Sequence, residues 1–218
     1  MKLQHFLLLC GFTLTSAITV QAQAQVQHTQ TSGNMSATNN QDVVKAPVMR
    51  LYQALNTIQK SAGNSLVQNE AILNQALDNS YDFPAIVGKT VGYRYNSFTP
   101  QEKTAVLEAF KKYTIARYLS SFANEKDTQF KISPDVKTGT TGNKQIVSTT
   151  IGSGNDTTPI NYIVQNTPQG WRIVDVLLNG NISQTAVQHG DFSSTLAKGG
   201  SQALVEMLNK KTQSFNRK

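Results

Sequence analysis

The sequence predicts an α+β domain in which helices pack on a four-stranded antiparallel sheet. Two observations support this fold class. Apolar residues recur at helical spacing in the first and last parts of the domain. Between them, four β-prone runs are separated by short stretches rich in glycine, asparagine and proline, and connections this short favour an antiparallel meander. We expect a single domain over residues 42–218.

The N-terminal segment, MKLQHFLLLCGFTLTSAITVQAQA, is typical of a secretory signal peptide. Lys2 precedes a short apolar stretch, and small residues that fit a cleavage site end at Ala24. We therefore predict a signal peptide over residues 1–24 and a polar, disordered leader over residues 25–41. The single cysteine, Cys10, lies in the signal peptide, so the exported chain is expected to have neither a disulfide nor thiol chemistry.

The formal net charge of +7 restricts the classes of partner. A basic exported protein can favour anionic lipid surfaces or acidic partners, although the same charge also serves solubility. No run of lysine and arginine is interleaved with aromatic residues, so nucleic acid is not an expected partner.

The helices that precede the predicted sheet are marked by apolar periodicity and by their end signals. Residues 42–58 and 66–77 each carry apolar side chains at helical spacing, and a helical turn is expected after Pro84. The strongest start lies at Thr99, because its hydroxyl can cap a helix while Glu102 reaches back to its amide. A long helix is expected to follow.

The sheet is predicted from four runs: TQFKIS, KQIVSTTIG, PINYIVQNT and GWRIVDVLLN. After the last run, two helices are expected over residues 182–197 and 201–215, with a break at Gly199 and Gly200. The last strand is apolar on both faces. Simple alternation assigns one face to Trp171, Ile173 and Leu177 and the other to Val174, Val176 and Leu178.

A carboxylate, Asp175, lies within that apolar strand. An ionised carboxylate there is costly unless it is paired or hydrogen-bonded, so we assign Asp175 a structural role. The alternative is a general base whose pKa is raised by burial, with Tyr162 or Tyr113 as its partner. His189 is the one histidine of the predicted domain, and no metal or nucleophile motif is present, so no catalytic or metal site is expected.

Aromatic residues concentrate between Tyr81 and Phe122. Each suits a core position, but together they provide more apolar surface than one face of a sheet needs. A helical layer lying off a twisted sheet can leave a cleft that an apolar ligand fills.

The segment GWRIVDVLLNGNISQTAVQHGDF resembles the MlaC/toluene-tolerance family of exported lipid-carrier proteins, and within that family the hopanoid-associated HpnM branch. The family pattern is a Trp that opens a strand, an Asp within it, a Gly that ends it, a Ser at the next helix start and a later aromatic. Its counterparts here are Trp171, Asp175, Gly180, Ser183 and Phe192. Asp82 and Phe83 match a second family segment, and the resemblance extends from about Asp42 to Leu208.

The resemblance implies a mixed α/β fold related to the nuclear-transport-factor-two-like architecture, with an apolar pocket between sheet and helices. It implies a periplasmic carrier that binds phospholipid, or a hopanoid, and has neither enzymatic activity nor a cofactor. Its partners would be an outer-membrane lipoprotein–porin complex and an inner-membrane ABC transporter with an MCE-type component. Nothing in the sequence demands more than a monomer.

Residues for this pocket follow from the resemblance and the apolar pattern together. Trp171, Asp175 and Gly180 are assigned to structure, and Ile182 is expected to close one end of the pocket. The candidates for contact with a lipid head group are Lys89, Arg94 and Arg117. The predicted lipid-binding residues are Phe83, Ile86, Val87, Tyr93, Leu107, Phe110, Tyr113, Tyr162, Val164, Val174, Val176 and Ile182.

Two other functions remain open at the level of the sequence. Folds of this type also host small isomerases and dehydratases, in which Asp175 would act in a pocket. The third possibility is an accessory protein that binds a membrane complex through its surface while its core holds only side chains. The size of the cavity and the pKa of Asp175 distinguish these functions.

Overall fold

The computed structural model of the chain describes residues 34–61, 63–125, 127–139 and 143–217. The predicted signal peptide and leader residues 25–33 lie outside the described residues. The helices are α1 (Asn34–Lys60), α2 (Leu66–Ser80), α3 (Phe83–Val91), α4 (Pro100–Phe122) and α5 (Gln184–Asn216), with a 3-10 helix over Gly92–Ser97. Among the described helices, none combines the length and apolar composition needed to cross a membrane.

Helix α1 begins earlier than the apolar pattern indicates. The pattern starts at Asp42, whereas the helix starts at Asn34, so residues 34–41 of the predicted leader are helical. Polar residues do not prevent a helix from extending beyond its buried part, because propensity alone discriminates weakly among them. Val44, Val48 and Leu51 of α1 are buried.

Local capping accounts for the starts of the next three helices. The Ser65 hydroxyl accepts from the Gln68 amide at the start of α2, and the Asp82 carboxylate accepts from the Ala85 amide at the start of α3. At α4, Thr99 and Glu102 form the predicted reciprocal capping box.

The α+β prediction is confirmed, with a sheet of five strands rather than four. The order β1-β2-β3-β4-β5 is antiparallel throughout. Asn179 and Gly180 both have positive φ angles, of 51° and 79°, and turn the chain so that two more residues pair with Leu177 and Leu178. The strands are β1 (Gln129–Thr138), β2 (Lys144–Ser153), β3 (Asp156–Thr167), β4 (Gly170–Leu178) and β5 (Ile182–Ser183).

A β-bulge at Val174 corrects the predicted faces of β4. Val164 pairs with Ile173, but its neighbour Ile163 pairs with Asp175, so β4 contains one extra residue at this point. The bulge puts Ile173 and Val176 on the same face, although simple alternation assigns them to opposite faces. It also turns Asp175 toward the start of α5.

The core lies between one face of the sheet and the helices. The sheet contributes buried residues that include Val147, Tyr162, Val164 and Ile173, and α1 packs across them. Trp171, the second residue of β4, pairs with Asn166 and packs on the edge of this core.

The two helices predicted after the sheet are the two halves of α5. Gly199 and Gly200 have non-helical backbone angles and kink the helix between them. Gly200 has φ of 60° with ψ of −144°, a conformation that glycine adopts far more readily than other residues. Beyond the kink, Ser201 donates to Glu102 at 2.5 Å and ties α5 to the start of α4.

Candidate functional site

A cavity of about 60 Å³ lies where α3, α4, β4 and the start of α5 meet. A cavity of this size admits small groups but only a small part of an acyl chain. Helices α3 and α4 contribute its aromatic walls, β4 its floor and α5 its polar side. Its lining residues are Tyr81, Phe83, Ile86, Phe110, Tyr113, Thr114, Arg117, Tyr118, Asp175, Val176, Gln184, Thr185 and Gln188.

The apolar part of the cavity is an aromatic cluster with a fixed geometry. The ring of Phe83 stacks on Tyr81 at a centroid distance of 5.5 Å and meets Phe110 edge-on at 6.3 Å. Phe110 also contacts Tyr113 and Phe192. Such ring pairs add about 0.5–1.5 kcal/mol each beyond their buried area.

Two buried hydroxyls lie within this wall. Tyr81 and Tyr118 share a hydrogen bond of 2.6 Å between their Oη atoms. Burial raises the pKa of both phenols, so they remain protonated at neutral pH. They can therefore position each other or a polar ligand atom, but they do not supply a base.

The opposite part of the cavity carries polar and charged groups. An Arg117 Nη atom donates to Gln184 Oε1 at 3.1 Å. Gln184 and Gln188 lie one turn apart in α5, and both line the cavity with Thr114. The cavity is thus apolar on one side and provides hydrogen-bond donors on the other, which suits an amphipathic ligand.

Asp175 connects three elements below this polar side. Its Oδ2 accepts from Lys89 Nζ at 2.8 Å, Ser183 Oγ at 2.7 Å and Thr185 Oγ1 at 2.9 Å. Its Oδ1 accepts from the amides of Val176 and Thr185 at 2.9 Å and 3.1 Å. The carboxylate therefore ties β4 to α3 and to the first turn of α5, where the helix dipole also favours a negative charge.

These contacts decide the ionisation of Asp175. Burial by itself would raise the pKa of the carboxyl, but hydrogen bonds from Lys89, Ser183 and Thr185 outweigh burial and hold its pKa below the usual value. Asp175 is therefore ionised at neutral pH. This is the direction opposite to the raised pKa that a general base in a pocket requires.

Ten of the twelve predicted lipid-binding residues separate into three groups. Phe83, Ile86, Phe110, Tyr113 and Val176 line the cavity. Leu107 and Val174 line other hollows, Leu107 between α3 and α4 and Val174 on the opposite face of the sheet. The side chains of Val87, Tyr162 and Val164 are buried in the core but do not line the cavity.

Tyr93 and Ile182 lie on the surface. Their exposed fractions are 78% and 44%, and neither lines the cavity, so Ile182 does not close its end. The apolar pattern misplaced both because Tyr93 falls in the 3-10 helix beyond α3 and Ile182 falls in β5 rather than in α5.

One of the three head-group candidates lies at the cavity. Arg117 lines it, whereas Lys89 is bound to Asp175 and Arg94 stacks its guanidinium over the ring of Tyr93 at 5.4 Å. The sequence reasoning missed Gln184, Thr185 and Gln188. Their signal was a polar stripe on the first turns of a predicted helix, a pattern that surface helices also show.

In the described part of the chain, no three side chains of His, Cys, Asp or Glu are grouped so that they could hold a metal ion.

The comparison with protein families identifies the chain. A model of the MlaC protein family matches residues 45–210. The chain belongs to the MlaC family. A solved structure of a phospholipid-binding protein from Ralstonia solanacearum, in complex with a phospholipid, is similar to this MlaC-family chain with a TM-score of 0.70 at 20% identity. The alignment covers 79% of this chain and 98% of that one, which establishes the shared fold. No curated protein matches the sequence.

Proposed function

We propose that this MlaC-family protein is a lipid carrier that holds the acyl chains of a phospholipid in the cavity between α3, α4, β4 and α5. The observation that carries the proposal is the cavity itself, with aromatic walls on one side and Arg117 on the other. The phospholipid seen with the Ralstonia solanacearum protein of the same fold supports this choice of ligand.

The energetics of acyl chains suit reversible transport. Each buried methylene contributes about 0.8 kcal/mol, so about 28 methylenes of two sixteen-carbon chains would gain more than about 20 kcal/mol relative to water. A membrane offers the lipid nearly the same gain. Exchange between carrier and membrane can therefore stay close to balance, which a protein that both collects and delivers lipid requires.

The size of the cavity adds a condition to the proposal. About 60 Å³ accommodates only a small part of two acyl chains. Uptake therefore requires side chains of α3 and α4 to move away from β4. The aromatic contacts that line the cavity can exchange for contacts with the chains at little net cost, since both are apolar.

The cellular setting follows from the family and the N-terminal pattern and is part of the proposal. We infer export to the periplasm and exchange of lipid between an outer-membrane lipoprotein–porin complex and an inner-membrane MCE-type ABC transporter. Hopanoid cargo, and membership of the HpnM branch, rest on the segment from Trp171 to Phe192. A monomer suffices for this role.

The geometry disfavours the two alternative functions. An enzyme that uses Asp175 as a base needs a raised pKa, and the contacts of Asp175 lower it. An accessory protein needs no cavity with convergent polar groups. The carrier therefore fits the site better than either.

The proposal is tested by native mass spectrometry of the protein purified from its own periplasm. Bound lipid is extracted from the same preparation and identified. We expect a mass increment of one phospholipid, or of one hopanoid, and the extract names the cargo. A bare protein mass that stays unchanged after incubation with phospholipid vesicles would contradict the carrier function.

Substitution of Arg117 tests where the head group binds. We expect Arg117→Gln to weaken binding of phosphatidylglycerol by about tenfold or more, because a hydrogen bond to a charged group contributes about 1.5–3 kcal/mol. Arg94→Gln is the matched control, since it removes the same charge from a guanidinium stacked on exposed Tyr93. Titration with vesicles measures both, and equal affinities for the two variants would exclude Arg117 from the head-group site.

A further inference from the structure

A second hollow lies directly behind the aromatic wall of the cavity. It measures about 260 Å³ and opens to the surface between α3 and α4. Tyr81 and Phe83 line both spaces, so these two side chains separate the inner cavity from the outer hollow. The outer hollow is lined by Asp78, Tyr81, Phe83, Pro84, Leu107, Glu108 and Lys111.

The backbone beside this partition is fixed. The amide of Asp82 donates to the Ile173 carbonyl at 2.9 Å, and Tyr81 forms a bridge to Ile173 of β4. The Asp82 side chain also caps α3. A movement that joins the two spaces must therefore come from a side chain and not from the backbone.

Of the two side chains, Phe83 is the one that can move. Tyr81 is held by its hydrogen bond to the buried Tyr118 hydroxyl. Phe83 has no polar atom, and its contacts in the wall are ring contacts with Tyr81 and Phe110. An acyl chain can replace such contacts, because it offers apolar surface of the same kind.

We propose that the outer hollow is the site for the distal end of an acyl chain, which reaches it from the inner cavity past a displaced Phe83. This inference rests on the proposed carrier function and adds to it a second binding site, specific for long apolar chains. The inner cavity of about 60 Å³ holds only part of an acyl chain, so a long chain must find further space, and the adjoining hollow of about 260 Å³ lies on the other side of Phe83.

The rim of the outer hollow fits this role. Lys111 and Asp78 form an ion pair of 2.5 Å beside it, and Glu108 adds a second carboxylate. Half-buried Leu107 and exposed Pro84 provide apolar surface beside the charges. A methyl end can thus lie on Leu107 while the charged groups remain in water at the surface.

The test places a thiol in the outer hollow. In a chain that carries Cys10→Ser, so that no natural cysteine remains, Leu107→Cys is reacted with a maleimide. The reaction is run before and after loading with phosphatidylglycerol of twelve-carbon or eighteen-carbon chains. We expect the eighteen-carbon lipid to slow the reaction by about tenfold or more, since thiol reactivity follows exposure. The twelve-carbon lipid should leave the rate nearly unchanged, because the movement of α3 and α4 side chains away from β4 that uptake requires makes room for the shorter chain without displacement of Phe83. Glu108→Cys, at the rim, is a second reporter should the first variant fail to fold.

Further variants make the result specific. Val43→Cys, exposed on α1, should react at the same rate whether or not lipid is bound. Phe83→Ala joins the two spaces, so when it is combined with Leu107→Cys, protection of the introduced thiol should already appear with the twelve-carbon lipid. Phe122→Ala removes a buried ring of α4 that lines neither space and should keep the chain-length dependence of the parent.

Native mass spectrometry run alongside separates the two proposals. One outcome is that the protein binds lipid stoichiometrically while the thiol of the Leu107→Cys variant stays unprotected at both chain lengths. This would overturn the second site and leave the carrier function standing. Equal protection of the thiol by both lipids in the variant that keeps Phe83 would also overturn it, because Phe83 would then not separate the inner cavity from the outer hollow. Absence of any bound lipid would overturn both proposals.

Discussion

Asp175→Asn is expected to lower the free energy of unfolding by about 1.5–3 kcal/mol, the range for hydrogen bonds to a charged group, because Asp175 is buried while its partner Lys89 is half-exposed. The Asp175 side chain is only 5% exposed and accepts from Lys89, Ser183 and Thr185. An asparagine keeps the size but loses the charge, and its amide group places a donor where donors already converge. Chemical denaturation of both proteins measures the difference.

Asp78→Asn is the matched control for this change. Asp78 pairs with Lys111, but both side chains are partly exposed, so its loss should cost about 1 kcal/mol or less. An Asp175→Asn variant with the stability of the Asp78→Asn variant would show that the contacts of Asp175 do not hold the fold together.

The pH dependence gives a second readout of the same contacts. The pKa of Asp175 is lower in the folded protein than in the unfolded chain, where it is about 3.9. The stabilisation is therefore fully present above that unfolded value and is lost as the pH falls through the folded pKa. We expect the difference between the natural protein and Asp175→Asn to be constant near neutral pH and to shrink below about pH 4. A difference that instead grows on acidification would mean that the carboxyl has a raised pKa.

Local signals predicted the helices well and the details of the sheet less well. The Thr99–Glu102 capping box marks the start of α4, because all the groups it needs lie within four residues. The pair Asn179-Gly180 is a strong turn signal, but by itself it indicates only that a strand ends there. The added strand β5 has two residues, too few for any alternation to appear in the sequence.

The bulge in β4 explains why Val174 and Val176, which were both predicted to line the pocket, lie on opposite faces of the sheet. A bulge arises from the pairing of two distant segments, here around Ile163 and Val174. No local feature of the sequence near Val174 indicates it. Without it, Ile173 and Val176 are assigned to opposite faces. The cavity floor at Val176 and the turn of Asp175 toward α5 both depend on this extra residue.

The residues predicted to contact lipid include part of the aromatic wall, without Tyr81 and Tyr118, and on the polar side only Arg117. Phe83, Phe110 and Tyr113 are apolar residues on predicted helices, and burial selects such residues strongly. Gln184 and Gln188 have side chains that a surface helix would also carry, so only the tertiary contact with α4 shows that they face a cavity.

Val176→Glu is expected to abolish lipid binding. Val176 lines the cavity from its floor on β4, opposite Tyr162. An unpaired carboxylate among acyl chains costs several kcal/mol or more, and about 4 kcal/mol already weakens the affinity for lipid by roughly a thousandfold. Native mass spectrometry after loading with phosphatidylglycerol vesicles should show bare protein, while circular dichroism shows whether the fold persists.

Ile182→Glu is the matched control, since the same charge is placed on a side chain that is 44% exposed outside the cavity. This variant should retain its lipid, although the sequence alone favours Ile182 as a pocket wall. If Val176→Glu does not fold, Val176→Trp fills the same space without a charge, at a cost of about 1–3 kcal/mol. Two outcomes would contradict this prediction: a folded Val176→Glu or Val176→Trp protein that retains lipid, or loss of lipid from Ile182→Glu alone. Either would show that the acyl chains bind elsewhere than between α3, α4 and β4.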